Sequence, residues 1–323
     1  MNTARRASAC AVALCASLAA AAAVGQSFPV RPIRVIVPYA AAGGSDITIR
    51  IVQPKVSELL GQPLVIENRP GAATLIGTRA VQNATADGYT VGVMDPAFII
   101  NPTLFANARY DALKDFAPVT LITATPLTLV VPASSPAKTL QALVDQVKTS
   151  PGKLAYGSPG EGSAGHLAIE QFRSFFGLQM VHVAYKGAGP AVTAVVGSEI
   201  ALLMAGSGAV PFMQDGRLRG LGVTSEKRLT TVPNVPTFSE LGFPQINVQT
   251  FAGVVAPAGT PSSSLQRLHG AFATATQTPE VRARLEQFSQ VPVGNSPLEF
   301  GTFLDENRTR LVKVVREANI KVE

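Results

Sequence analysis

The sequence predicts a soluble α/β protein of two lobes, and three observations support this prediction. The chain has 323 residues, about twice the roughly 150 residues of a typical domain. Short runs rich in valine and isoleucine alternate with helix-length amphipathic stretches, a pattern typical of parallel α/β folds. A strand, a loop rich in glycine and serine, and a helix also follow one another twice, at 33–51 and 153–172. We therefore predict two similar lobes.

The first 25 residues predict a cleaved secretory signal peptide, residues 1–25. Arg5 and Arg6 form its charged start, and residues 7–24 carry no charge. Small residues from Ala21 to Gly25 offer a signal peptidase site. A retained membrane anchor is the alternative, because the uncharged span is close to anchor length. The mature protein is thus expected outside the cytoplasm.

In the first lobe we predict strands where β-branched residues cluster between turns, and helices where apolar residues recur at helical spacing. The predicted strands are 32–37, 64–68 and 89–94, and the predicted helices are 46–60 and 76–84. Residues 121–131 predict one long strand that leaves this lobe, because threonines alternate with apolar residues there.

The second lobe begins with a predicted helix at 139–149, which places Leu140, Leu143, Val144 and Val147 on one face. Further predicted strands are 153–156, 179–184, 200–204 and 218–224, and further predicted helices are 166–176, 191–197 and 208–215. The chain then continues with a strand at 251–256 and helices at 262–276, 279–288 and 297–319.

Charge and cysteine content exclude several functions. The net charge is +6 without any run of five basic residues, which argues against nucleic acid as a partner. Both cysteines, Cys10 and Cys15, lie in the predicted signal segment. A mature chain without cysteine has no thiol nucleophile, cysteine zinc site or iron–sulfur cluster. Proline interrupts the uncharged runs 116–137 and 241–266, so neither predicts a membrane-spanning helix.

The two glycine-rich loops, 38–46 and 156–166, are the candidate binding elements. Ligands of open α/β sheets bind beyond the carboxyl ends of strands, so two facing lobes would place both loops across one cleft. Gly43, Gly44 and Ser45 can take tight-turn dihedrals and expose N–H groups at a helix start, where an anion needs no Arg or Lys. The second loop repeats this chemistry with Gly157, Gly160, Gly162, Gly165, Ser158 and Ser163. The alternative is that both loops are only tight connections.

The sequence does not match common catalytic or nucleotide-binding motifs. Residues 161–165 miss the G-x-S-x-G pattern because the first position is Glu. The chain also lacks a P-loop and a dinucleotide-binding fingerprint. Ser163 and His166 are three residues apart, so a Ser–His pair is conceivable. The simpler interpretation is that His166 caps a helix and bonds to its loop.

No metal, cofactor or enzymatic activity is predicted. The three histidines do not have metal-ligand spacing; they are His166, His182 and His269. Asp46 suits the first turn of its helix, as a partner for the helix dipole rather than an acid catalyst.

Segments along the whole mature chain carry a family resemblance. They include RPIRVIVPY at 31–39 with Asp46, ENRPGA at 67–72, ADGYT at 86–90, INP at 100–102, KDFAPV at 114–119, 156–158, 166–168, YKGAGP at 185–190, 232–237, 240–242 and 256–261. In this order and spacing they resemble the substrate-binding receptors of tripartite tricarboxylate transporters, the Bug-type periplasmic receptors.

The resemblance implies a type II-like periplasmic-binding-protein fold, with two Rossmann-like lobes that close on ligand like a Venus flytrap. Lobe 1 would comprise 26–127 and 251–323, and lobe 2 would comprise 128–250. The implied function is that of a monomeric periplasmic receptor without a covalent step. It would bind a di- or tricarboxylate, an acidic amino acid or an aromatic acid such as nicotinate, and deliver it to membrane transporter subunits.

The resemblance also implies ligand-binding positions in both loops. They are Tyr39, Ala42, Gly43, Gly44, Ser45 and Asp46 in lobe 1, Ser158, Gly162, Ser163 and His166 in lobe 2, and Gly206 and Ser207 at a third edge. Ala42 stands where the family has its first loop glycine, and Phe251 where it often has Trp. Asp95 replaces a usual small polar residue. If it faces the cleft it would pair with an amino group on the ligand; otherwise it caps a helix before Pro96.

Two other functions compete with transport. A ligand sensor that signals to a membrane partner would have the same sequence features. A hydrolase built on Ser163 and His166 is the remote alternative, with Glu161 as the only nearby orienting carboxylate.

Overall fold

A computed structural model describes residues 28–41, 43–317 and 320. The predicted signal peptide and Ala42 lie outside the described residues. The described chain forms an α/β structure with two sheets. Strand and helix alternate along most of it, as the sequence predicts.

The first sheet has six strands in the order β11-β4-β10-β3-β1-β2. They are β1 (Ile33–Val37), β2 (Leu64–Asn68), β3 (Thr90–Met94), β4 (Phe116–Thr125), β10 (Thr250–Pro257) and β11 (Val291–Pro292). β1 is parallel to both β2 and β3. β10 is antiparallel to β3 and β4, and β11 is antiparallel to β4. This sheet therefore takes its strands from two separate stretches of chain.

The second sheet has five strands in the order β7-β6-β8-β5-β9. They are β5 (Thr128–Pro132), β6 (Ala155–Ser158), β7 (Val181–Ala184), β8 (Leu202–Ala205) and β9 (Leu218–Val223). β6 is parallel to β7 and β8, whereas β5 is antiparallel to β8 and β9.

The helices lie close to their predicted positions. They are α1 (Gly44–Leu60), α2 (Leu75–Gln82), α3 (Pro96–Leu104), α4 (Leu140–Thr149), α5 (Ala164–Phe176), α6 (Ala188–Val196), α7 (Val210–Gln214), α8 (Ser262–Gln277), α9 (Pro279–Gln287) and α10 (Pro297–Glu317). Both α1 and α5 end at a left-handed glycine, Gly61 and Gly177, the usual stop for a helix.

Helix α3 was not predicted from the sequence. Pro96 opens it and Pro102 lies inside it. Its residues from Pro96 to Asn101 are all buried, so the helix has no polar face. Without a polar face there is no 3.6-residue alternation to indicate a helix.

The prediction of one long strand at 121–131 is wrong. β4 ends at Thr125, and β5 begins at Thr128 in the other sheet. Pro126 lies between them, and proline cannot donate a ladder hydrogen bond. The apolar run is therefore two strands joined by a crossing segment, which does leave the first sheet as predicted.

The chain crosses between the sheets twice, and the two crossings are hydrogen-bonded to each other. Leu127 N–H donates to Thr224 Oγ1, and Thr224 N–H donates to Leu127 O, both at 2.9 Å. The side chain of Gln249, at the end of the second crossing, donates to Thr224 O at 3.2 Å. These bonds join the two crossing segments to each other.

One apolar cluster extends through both halves of the molecule. Met94 and Phe300 belong to it with Leu129 and Phe172 of the other half, and each is almost fully buried. Helix α10 packs on both α3 and α5. The two sheets therefore share part of their core.

Candidate ligand-binding cleft

The strand registers show where the two glycine-rich loops lie. Thr125 at the end of β4 pairs with Thr250 at the start of β10. In the second sheet Thr128 pairs with Ala205 at the end of β8. The crossings therefore leave the first sheet and enter the second at the carboxyl ends of the parallel strands. The loops after β1, β3, β6 and β8 begin at these two edges, which face the region between the sheets.

A direct contact connects the two sides of this region. A Cβ atom placed on Gly162 would lie 2.7 Å from Cδ1 of Leu104. Gly162 belongs to the loop after β6, and Leu104 is the last residue of α3. The second glycine-rich loop therefore packs against an element of the first lobe.

The backbone of the first loop is extended where α1 begins. Gly43 has φ −74° and ψ 165° and is the N-cap of α1. Gly44 is exposed and, like Gly43, is not among the glycines with positive φ. The left-handed region that glycine permits is therefore not used at Gly43 or Gly44, and Gly43 has the extended conformation usual for an N-cap residue. Gly43 has no side chain with which to cap α1, and its N–H donates to Ala40 O at 3.4 Å. The positive end of the helix dipole therefore lies at Gly44 and Ser45.

Asp46 lies in the first turn of α1, as predicted, and fixes the first loop. Its side chain is buried and accepts hydrogen bonds at 2.9 Å from Arg50 Nε and from Asn68 Nδ2. The same Asn68 amide donates to Tyr39 O at 3.0 Å. Asp46 thereby connects the start of α1 to the end of β2.

Asp95 and Tyr39 are hydrogen-bonded at the edge of the first sheet. The Tyr39 hydroxyl donates to Asp95 Oδ2 at 2.5 Å, and Ala97 N–H donates to Asp95 Oδ1 at 3.0 Å. The expected helix cap by Asp95 is confirmed, and it uses Oδ1 alone, which leaves Oδ2 beside Tyr39. Burial raises the pKa of Asp95 to about 6. Burial and the neighbouring charge of Asp95 raise the pKa of Tyr39 well above its usual value.

The second loop has the backbone that its glycines predict. Gly160 has φ 140° and Gly162 has φ 70°, both in the region that favours glycine. The Ser163 hydroxyl donates to Gly160 O at 2.7 Å and accepts from His166 N–H at 3.3 Å. Ser163 is therefore the N-cap of α5, and the expectation that His166 provides this cap is wrong.

The side chain of His166 bonds to the loop and not to Ser163. Its Nδ1 accepts from Gly162 N–H at 3.1 Å. The backbone turn that follows from φ 70° at Gly162 brings this N–H back over the first turn of the helix. The conceivable Ser–His pair is not formed in this arrangement.

His182 is a further residue at this loop, and sequence reasoning did not include it. β6 and β7 pair Tyr156 with His182, and their rings stack with centroids 4.9 Å apart. His182 Nε2 and Ser158 Oγ share a hydrogen bond of 2.7 Å. Ser158 also bonds to Gly160 through its hydroxyl. The predicted strand 179–184 includes His182, but its place beside Ser158 depends on the register of β6 with β7.

The third predicted edge lies beside a crossing segment. Gly206 is extended and precedes a short 3-10 turn, Ser207–Ala209. A Cβ atom on Gly206 would lie 3.8 Å from Leu127. Both Gly206 and Ser207 are half-buried. Phe251, in contrast, is 3% exposed and packs edge-on against Phe303, so it belongs to the core.

A left-handed turn at the carboxyl end of β2 was also not predicted. Ala72, Ala73 and Thr74 have φ values of 45°, 49° and 78°. Non-glycine residues rarely adopt this region, which costs on the order of 1 kcal/mol each. Asn101 Nδ2 donates to Ala73 O and, at 3.1 Å, to Thr74 Oγ1. Alanine gives no sequence signal for such a turn.

Other kinds of site find little support in the described ranges. Within them no three His, Asp or Glu side chains are grouped so as to hold a metal ion. None of the helices described is long and apolar enough to cross a membrane. A shallow depression of about 340 Å³ beside Gly61 and a cavity of about 150 Å³ beside Phe116 are lined by residues outside the two loops.

Comparison with known proteins agrees with this architecture. Residues 48–320 match the tripartite tricarboxylate transporter family receptor, TctC. BugT of Bordetella pertussis is 33% identical over 307 residues, which cover 94% of each chain. A solved structure of an R. palustris protein with adipate has a TM-score of 0.84 and 29% identity, and covers 91% of this chain and 99% of that one. MatC from Rhodopseudomonas palustris with bound malate has a TM-score of 0.81 and 29% identity, over 89% and 100% of the two chains.

These matches extend over nearly all of the described chain and confirm the expected fold. The α/β fold with two sheets is that of periplasmic binding proteins such as BugD, whose solved structure has a TM-score of 0.83 and 27% identity over 92% of this chain and 100% of that one. The chain belongs to the tripartite tricarboxylate transporter receptor family, and it is a periplasmic solute-binding receptor of the TctC/Bug type.

Proposed function

We propose that this receptor binds a small organic carboxylate between its lobes and delivers it to membrane subunits of a tripartite tricarboxylate-type transporter. The observation that carries this proposal is the start of α1, where the N-cap is Gly43 and Gly44 is exposed, at the edge that faces the region between the sheets. Exposed N–H groups at a helix start stabilise an anion without a basic side chain. The adipate and malate bound to the two R. palustris proteins support the same ligand class.

The proposed site has one half in each lobe. Tyr39 and the start of α1, Gly43–Asp46, would contact the ligand from lobe 1, together with Ala42 and Asp95. Ser158, Gly162, Ser163 and His166 would contact it from lobe 2, with Gly206 and Ser207 beside the crossing. Contacts with both lobes would stabilise the closed arrangement, which is a shift in population between open and closed states.

We propose the lobe boundaries 26–127 with 251–323 for lobe 1 and 128–250 for lobe 2. Sheet membership supports them, because β1–β4, β10 and β11 form one sheet and β5–β9 the other. Export would remove residues 1–25, and N-terminal sequencing of the protein recovered from periplasm would test this. We propose that the mature receptor is a monomer that needs no cofactor.

A thermal-shift screen of residues 26–323 tests the ligand class. The panel includes citrate, succinate, malate, adipate, aspartate, glutamate, nicotinate and benzoate, with neutral sugars as controls. Ligand at 100 times its Kd adds about 2.7 kcal/mol to the free energy of unfolding. A shift confined to carboxylates is expected. If only sugars shift the melting temperature of both native and refolded protein, the proposal is wrong.

Delivery to a transporter needs a separate test. The ligand-loaded receptor should restore uptake of that ligand in cells that hold the membrane subunits and lack the receptor gene. Ligand binding without restored uptake would instead favour the sensor alternative.

A further inference from the structure

We propose that Asp95 and Tyr39 form the part of the cleft that selects the far end of the ligand, and that they accept an ammonium group rather than a second carboxylate. The ligand would then be a small amino acid whose carboxylate contacts the starts of α1 and α5. This inference rests on the proposed carboxylate-binding function of the same cleft.

The backbone places both side chains at the cleft edge of the first sheet. Asp95 directly follows β3, and Tyr39 lies two residues after β1. β1 and β3 are neighbouring parallel strands, with Ile36 opposite Gly92. Both residues are half-buried.

The same edge lies within reach of the second lobe. Asp95 is the N-cap of α3, and that helix ends at Leu104, which contacts Gly162 of the second loop. A helix rises about 1.5 Å per residue, so the nine-residue α3 is roughly 13 Å long. Asp95 and the second loop therefore lie at the two ends of one short helix.

The negative charge of Asp95 has no cationic partner in the described ranges. Its hydrogen-bond donors are the Tyr39 hydroxyl and the Ala97 N–H, and both are neutral. None of the ion pairs between described residues includes Asp95; they use other carboxylates, such as Asp46 with Arg50. An ammonium group brought here would meet an unbalanced carboxylate at low local dielectric, and a second carboxylate would be repelled.

Tyr39 adds hydrogen-bond acceptors beside the Asp95 carboxylate. Its hydroxyl donates its only proton to Asp95, which leaves the oxygen lone pairs as acceptors. A ligand group at this point therefore finds acceptors from both side chains. A carboxylate has no proton to give them, whereas an ammonium group has three.

Matched pairs of ligands test the inference. Succinate and 4-aminobutyrate have the same chain length, as have adipate and 6-aminohexanoate, and each pair differs in one terminal group. Calorimetric titration of the wild type gives a Kd for each member of the pair that binds more tightly. In that pair the Kd of the amino acid should be at least about tenfold lower than the Kd of the diacid, a factor that corresponds to about 1.4 kcal/mol. Asp95→Asn should reduce or reverse this preference.

The variants are designed to keep the fold. Asparagine is as good an N-cap as aspartate, so Asp95→Asn retains the start of α3. Asp145→Asn removes an equal charge from the exposed face of α4 and should leave both affinities unchanged. Tyr39→Phe keeps the carboxylate and should keep the sign of the preference.

The outcomes separate this inference from the proposed function. If the wild type binds the diacid more tightly, or if Asp95→Asn leaves the ratio of the two Kd values unchanged, the cleft binds carboxylates but Asp95 does not select among them. If neither member of either pair nor any carboxylate of the thermal-shift panel binds, the proposed function and this inference are both wrong.

Discussion

The imidazole rings of His166 and His182 are stacked, with centroids 4.0 Å apart and planes 7° from parallel. Each ring also bonds to the second loop, His166 through Gly162 N–H and His182 through Ser158 Oγ. Burial, with the charge of His182 as a second cause, lowers the pKa of His166 to about 3. Burial also lowers the pKa of His182. The loop is thus supported by a pair of neutral rings.

This stack predicts that acid weakens the fold. His166 binds a proton below pH 6.5 in the unfolded chain but only near pH 3 in the native protein. Its contribution to stability is therefore complete above pH 6.5 and is lost as the pH falls toward 3. Between pH 7 and pH 5 we expect a loss of about 2 kcal/mol from this group, measured by urea unfolding. His166→Asn should show a smaller loss, and an unchanged pH dependence in this variant would contradict the assignment.

Asp95 predicts a pH effect of the opposite sign. Its pKa is raised from 3.8 to about 6, so its stabilising contribution is complete below pH 3.8 and is lost as the pH rises through 6. At pH 7.5 Asp95→Asn should therefore unfold with a free energy about 1–3 kcal/mol above that of the wild type. The two proteins should become equally stable toward pH 4. If Asp95→Asn and the wild type are equally stable at pH 7.5, burial of the ionised Asp95 carboxylate does not destabilise the native protein.

Gly162 is predicted to be intolerant of any side chain. Its φ is 70°, and a Cβ atom would meet Leu104 at 2.7 Å. Gly162→Ala should cost at least about 1 kcal/mol of stability and weaken ligand binding, because the loop must move away from α3. Gly189→Ala, where a Cβ atom has open space in α6, is the control and should be neutral or stabilising. In the double variant Gly162→Ala with Leu104→Ala, the clash between the two side chains is relieved. Only the part of the stability loss that comes from this clash should be recovered, and the part that comes from the φ of 70° should remain.

Asn101 is predicted to maintain the left-handed turn at Ala72–Thr74. It is 1% exposed, and its amide donates to Ala73 O and Thr74 Oγ1. Asn101→Ala leaves these acceptors unsatisfied and should cost about 1–3 kcal/mol in the free energy of unfolding. Asn107 lies six residues after Asn101 and is exposed. As a control, Asn107→Ala should change the free energy of unfolding by less than about 0.5 kcal/mol. Equal effects of the two substitutions would show that the turn does not depend on Asn101.

Local patterns predicted most of the elements but not how they meet. The strand at Leu64–Asn68 was predicted with the bounds that are found, because apolar β-branched residues are bounded there by turn residues. Helix α3 was missed since its first six residues are all buried. The crossing at Pro126 was read as continuous strand because composition does not change where the chain passes from one sheet to the other.

The candidate site, too, was predicted only in part from the sequence. The two glycine-rich loops were located from sequence, since each follows a strand and opens a helix. The conformation at Gly43 and Gly44 was left open by the sequence, because glycine permits left-handed dihedrals without requiring them. His182 was not included, because its place beside Ser158 depends on the register of β6 with β7.

The sequence by itself determined the alternation of strand and helix, the two loops and the family, because these depend on neighbouring residues and on motifs in order. Only the tertiary structure decided that Tyr39 meets Asp95, 56 residues away, and that His182 stacks on His166. Pairs such as these form where strands distant in sequence are brought to one sheet edge. Their geometry is set by strand register and packing, which no local pattern contains.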